Sequence, residues 1–68
     1  MTIIVNGAPR VLQDGATLAE VVALLVRNID ARGVAAARNG EVILRAAWGE
    51  TRLLTDDRVE VLHAVQGG

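Results

Sequence analysis

The strongest constraint in this sequence is a single capped amphipathic stretch set between two Asn-Gly dipeptides. Thr17-Leu18-Ala19-Glu20 has the form of a capping box, in which the Thr17 hydroxyl accepts from the Glu20 N–H and the Glu20 carboxylate accepts from the Thr17 N–H. Leu18, Val21, Val22, Leu25 and Ile29 recur behind it at helical spacing. Leu24 widens the stripe, and Glu20, Arg27 and Asp30 take the polar side. Gly33 supplies a stop. The pattern predicts a helix over 17–30. One amphipathic helix cannot bury its stripe alone, so it demands a sheet.

The Asn-Gly dipeptides supply the sheet. Asn6-Gly7 and Asn39-Gly40 are hairpin signals, because both residue types tolerate positive φ. The first joins a β-branched strand, Met1 to Asn6, to a returning strand, Arg10 to Gln13, with Pro9 at its start, where a missing N–H costs little. Met1, Ile3 and Val5 share one face. The second joins Val34–Arg38 to Glu41–Leu44. Helix propensity alone would extend the helix through the alanines, but Gly33 before them and Asn39-Gly40 after them favour a strand. Small alanines there would let a helix pack close to the sheet.

Ala46-Ala47-Trp48 is expected to form one tight turn, with Trp48 plugging the open edge of the core. Leu53-Leu54 tuck inward from a loop, and Asp56-Asp57 form a solvated turn. The longest strand, Arg58 to Val65, puts Val59, Val61, His63 and Val65 on one face and Glu60, Leu62 and Ala64 on the other. The order strand, strand, helix, strand, strand, irregular stretch, strand is met most economically by one mixed sheet of four to five strands curled around one helix, an α+β architecture. The first and last strands would be central, parallel neighbours. One domain spans 1–64 and a flexible tail spans 65–68.

Composition removes most chemistries. Sixty-eight residues with no cysteine allow no disulfide and no thiolate metal site, so the core must be aliphatic packing. A net charge of −1 and a single aromatic residue argue against nucleic acid as a partner. No stretch reads as a signal peptide or a membrane span, so a cytoplasmic, monomeric protein is expected. The chain lacks serine and lysine nucleophile sites, and His63 has no nameable orienting partner, which argues against an enzyme in its own right. No metal site is expected; Asp56-Asp57 is better suited to a turn. What remains is Gln66-Gly67-Gly68: a side-chain-free tail able to enter a narrow channel and ending in a backbone carboxylate, preceded by an exposed patch at Leu62 and Ala64.

Taken whole, the chain resembles the bacterial thiamine-biosynthesis sulfur carriers, ubiquitin-like proteins of the β-grasp fold. The resemblance is carried by the Met-Thr-Ile-Ile-Val-Asn-Gly start and by Thr17-Leu18-Ala19-Glu20. Asn39-Gly40-Glu41-Val42-Ile43 with Arg45 and Trp48, Asp57-Arg58-Val59-Glu60-Val61, and Ala64-Val65-Gln66-Gly67-Gly68 complete it. Leu44 stands where the family often has proline, Arg38 where it usually has an apolar residue, and Gln66 where alanine or isoleucine is common.

The resemblance implies that the Gly68 carboxylate is adenylated by an E1-like adenylyltransferase using ATP and Mg²⁺. A cysteine-persulfide donor then converts it to a thiocarboxylate, whose sulfur passes to thiazole synthase for the thiazole ring of thiamine. Gly67 and Gln66 would thread into the adenylation site, and Leu62 and Ala64 would dock. The chain itself would bind no cofactor. Two alternatives stand beside this reading: a sulfur carrier for another recipient, such as molybdopterin synthase, and a non-covalent ubiquitin-like binding module.

Overall fold

The computed structural model describes residues 1–26 and 33–63. Its elements are β1 (Thr2–Val5), β2 (Ala8–Val11), α1 (Leu18–Leu25), β3 (Val34–Arg38), β4 (Glu41–Ile43), a 3₁₀ turn (Arg45–Glu50) and β5 (Arg58–His63). The five strands form one sheet in the order β2-β1-β5-β3-β4. β1 and β5 lie side by side and parallel at its centre, and every other pairing is antiparallel. This is the mixed sheet around one helix expected from the element order, and the β-grasp arrangement that the resemblance implies.

Both hairpins turn where their sequences say they should. Asn6 and Gly7 have φ of 49° and 82°, and Asn39 and Gly40 have 50° and 84°, the left-handed pairs of a two-residue turn whose twist matches that of its strands. The first turn is so tight that β2 begins at Ala8 rather than Arg10, and Pro9 sits opposite Ile4 rather than at the strand's start. A two-residue turn makes Val5 and Ala8 a hydrogen-bonded pair, so the missing N–H of Pro9 faces the free edge, where it weakens the edge as a template for another strand.

The capping box is complete. The Thr17 Oγ1 accepts from the Glu20 N–H at 3.3 Å, and the Glu20 Oε2 accepts from the Thr17 N–H at 2.8 Å. The helix stops earlier than its periodicity suggests, because Val26 is in extended backbone; the expected continuation through Arg27, Ile29 and Asp30 lies outside the described residues. Leu18, Val21 and Val22 are fully buried, but Leu24 is exposed and does not widen the stripe. The Leu18 N–H donates to the Thr51 carbonyl and the Leu53 N–H to the Ala16 carbonyl, both at 2.9 Å, tying the helix start to the loop before β5.

The core joins Ile3 and Val5 of β1, the helix residues, Ala36, Trp48, Leu53, and Val59 and Val61 of β5. Trp48 is buried, as expected of a plug, and its indole N–H donates to the Ile43 carbonyl at 2.8 Å. Other sequence expectations fail. Leu54 faces solvent while Leu53 alone tucks in. His63 has the core parity of Val59 and Val61 but is exposed, since it lies at the sheet's end opposite Val34, itself half-buried. Of the alanines in β3, only Ala36 packs toward the helix.

The expectation of a solvated acidic turn fails as well, because Asp57 is only 6% exposed. Its carboxylate accepts from the Arg38 guanidinium at 2.9 Å, the Asn39 amide at 3.0 Å and the Leu54 N–H at 2.8 Å. Asn39 in turn accepts from the Arg58 N–H at 2.9 Å. The turn is a fastening between β3 and β5, and Arg38 has its charge partner there. Burial by itself raises the Asp57 pKa. The hydrogen bonds from Leu54, Asn39 and Arg38, with the Arg38 charge, outweigh it and hold the carboxyl below its ordinary value.

A pH prediction follows from that sign. A carboxyl whose folded pKa is depressed contributes stability that is fully present above about pH 4 and is lost as pH falls through the folded value. Urea melts of the native chain should therefore lose stability on acidification below about pH 4, and Asp57→Asn should flatten that acid limb. An equally steep limb in the variant would assign the loss to other carboxylates.

Candidate functional site

β5 is the strand on which a site ahead of the glycine tail would stand, because it is central, paired on both sides and immediately before that tail in sequence. Its alternation is clean: Val59 and Val61 point into the core while Arg58, Glu60 and Leu62 face out. Leu62 is 67% exposed, as the sequence predicted. Ala64, Gln66, Gly67 and Gly68, the other expected site residues, lie outside the described residues.

Leu62 does not stand alone. Antiparallel pairing places Ala35 opposite Leu62 and Ala37 opposite Glu60, and Ala37 also faces Val42 across the β3–β4 hairpin. The short side chains of Ala35 and Ala37 leave a trough on the outer face of β3, walled by Leu62 on one side and by Val42, 70% exposed, on the other. The trough measures about 240 Å³ and is lined by Ala35, Ala36, Ala37, Gly40, Val42, Glu60 and Leu62. Glu60 puts one carboxylate into an otherwise apolar surface. An apolar trough with one fixed charge suits a protein surface that presents an apolar side chain beside a cation.

Sequence reasoning did not single out Ala35, Ala37, Val42 and Glu60, which line this candidate site. Two signals pointed toward them: the run of three alanines on one strand of a hairpin, and the outward parity that Glu60 shares with Leu62. The register that brings three strands' outer residues together is not written in any one of them.

A larger groove, about 360 Å³, lies between the β2–α1 loop and the helix, lined by Leu12, Gln13, Ala16, Glu20, Ala23 and Leu24. None of these residues belongs to β5 or to either strand beside it, so it is the lesser candidate. Among the described residues no group of three or more His, Asp or Glu side chains gathers as a metal site, and the Asp57 carboxylate is committed to its three donors. No helix among them is long and apolar enough to cross a membrane.

Comparison with known proteins gives the same answer at two levels. A model of the ThiS family matches residues 3–68. A crystal structure of the thiamine biosynthesis protein ThiS from Geobacter metallireducens is 31% identical over 100% of both chains, with a TM-score of 0.77. An NMR solution structure of a thiamine biosynthesis protein from the same organism is 30% identical over 100% of this chain and 88% of the other, with a TM-score of 0.75. No curated protein matches the chain significantly.

Proposed function

The chain belongs to the ThiS family, small sulfur carriers of thiamine biosynthesis rather than catalysts, and we propose that it carries sulfur on the backbone carboxylate of Gly68. One observation carries the reading most: the central strand, held on both sides, runs in sequence straight into the glycines, beside an exposed apolar trough. The family match extends through Gly68, which supports taking the glycines as a working part.

The chemistry asks little of the chain and much of its partners. A carboxylate is a poor electrophile. An E1-like adenylyltransferase with ATP and Mg²⁺ joins the Gly68 carboxylate oxygen to the α-phosphorus, and pyrophosphate leaves. The terminal sulfur of a cysteine persulfide attacks the acyl carbon, and AMP leaves. A second thiol then attacks the donor sulfur, forming a disulfide and releasing the Gly68 thiocarboxylate. That sulfur goes to thiazole synthase for the thiazole ring. ATP and Mg²⁺ belong to the partner, and this chain needs no cofactor.

Its own contributions are physical. Gly67 lets the tail pass through a narrow entrance, with Gln66 at the mouth. The trough at Leu62 docks successive partners through modest, separable contacts, with Ala64 as a further docking residue. The absence of cysteine keeps any side-chain thiol from competing for the acyl group.

Intact-protein mass spectrometry tests this. After incubation with the adenylyltransferase, ATP, Mg²⁺ and a persulfide donor, the chain should gain the mass of one oxygen-to-sulfur exchange, localised to Gly68 by fragmentation. An unchanged mass with an active adenylyltransferase would overturn the carrier reading and leave the binding-module alternative. Transfer of the sulfur to molybdopterin synthase instead of thiazole synthase would correct the recipient alone.

A further inference from the structure

We infer that Asn6 is a positioning residue for the docking strand, acting through the backbone of Val61. The inference rests on the carrier reading above, in which Leu62 docks and β5 leads to the reactive tail.

The ladder between β1 and β5 shows why. The Ile4 N–H donates to the Asp57 carbonyl and the Asn6 N–H to the Val59 carbonyl, both at 2.9 Å, which is the regular parallel pattern. The next bond in that pattern would join the Val61 N–H to the Asn6 carbonyl. The hairpin turn prevents it, because Asn6 has φ of 49° and β1 ends at Val5. The Asn6 side chain takes over the ladder. Its Oδ1 accepts from the Val61 N–H at 2.9 Å, and its Nδ2 donates to the Val61 carbonyl at 3.2 Å, across 55 residues of sequence.

Among the described residues no other group does this. The bonds at Asp57 and Val59 show that the odd-numbered carbonyls of β5 face β1, so the polar groups of Val61 point the same way and away from β3. Beyond Val59, among the described residues, β5 is therefore held on one side by β3 and on the other by a single amide. The residue after Val61 is Leu62, the wall of the trough, whose own backbone faces Ala35. The clamp fixes the strand on which Leu62 stands. Freeing it leaves Val61 to water and lets the last turns of β5 move, so that docking must re-order them.

The test uses two variants that keep their turns, since glycine accepts positive φ at either site. Asn6→Gly removes both bonds to Val61. Asn39→Gly removes the bonds to Asp57 and Arg58 at the opposite end of β5 and serves as a control of general stability. Each variant is assayed as the full chain with the adenylyltransferase, and amide exchange is followed by NMR. Asn6→Gly should raise KM for the carrier about fivefold, the worth of a lost hydrogen bond, with kcat within about twofold of native. Its Val61 and Leu62 amides should exchange faster while Val22 in the helix does not.

A native KM for Asn6→Gly, or an equal rise for Asn39→Gly at matched stability, overturns the inference. If the native chain gains no sulfur, the carrier reading fails instead, and the exchange rates still decide the clamp: an unchanged Val61 amide in Asn6→Gly refutes it.

Discussion

Removal of Gly68 is expected to lower thiocarboxylate formation by at least about 100-fold while leaving the thermal midpoint where it is. One residue of extended chain spans about 3.3–3.6 Å, so the shortened chain presents its carboxylate that far from the α-phosphate. A misplacement of about 1 Å at a reacting centre already costs on the order of 10²-fold. Gly67 would then carry the only carboxylate in reach, chemically identical and wrongly placed. Docking at Leu62, Val42 and Glu60 should be retained, so the shortened chain should compete with native carrier for the adenylyltransferase. That pairing separates chemistry from recognition. A shortened chain that still accepts sulfur at a near-native rate would show that the reacting carboxylate is not that of Gly68. Gly67→Val should fail differently: its carboxylate is in register, but the branched side chain blocks the entrance, so loss of competition as well as of turnover is expected.

The second large effect is on the fold. Trp48→Ala should leave the chain largely unfolded at room temperature. Truncating a buried aromatic costs about 3–5 kcal/mol, and a domain of this size has about that much stability in total. Trp48 is 3% exposed, packs in the cluster with Val21, Val22 and Leu53, and donates to the Ile43 carbonyl. Its loss opens a cavity and leaves that carbonyl one donor short. Trp48→Phe keeps most of the apolar area and loses the N–H, so it should fold and cost about 1–2 kcal/mol. Circular dichroism with urea titration separates the two. A Trp48→Ala chain melting near the native midpoint would remove the tryptophan from its place as the plug of the core.

The two predictions differ in where their grounds lie. The burial of the tryptophan was legible in the sequence, as the one large aromatic in a small aliphatic chain, and the structure shows it; the role of the tail rests on the run of side-chain-free residues and on the family match. The core face was legible as well, since Ile3, Val5, Val59 and Val61 obey strand alternation and Leu18, Val21 and Val22 obey helical spacing. Alternation gives parity but not coverage. His63 has core parity and is exposed because, among the described residues, the core does not extend over the sheet's end. Leu24 and Leu54 are apolar and exposed because each sits beside a neighbour, Leu25 or Leu53, that occupies the inward position.

What the sequence by itself determined is local: the Thr17–Glu20 cap, the two Asn-Gly turns, the parity of each strand, and the chemical poverty that leaves the glycine tail as the reactive candidate. These depend on residues within one turn or one strand of each other, where spacing and conformational preference act directly. Tertiary structure alone decided the rest. It buried Asp57 by bringing Arg38 to it from 19 residues away, it turned two alanines into a trough by setting Val42 and Leu62 on either side, and it gave Val61 an amide from 55 residues away. Each depends on strand register. Register follows from the packing of the whole sheet around one helix, so no short stretch of the chain contains it.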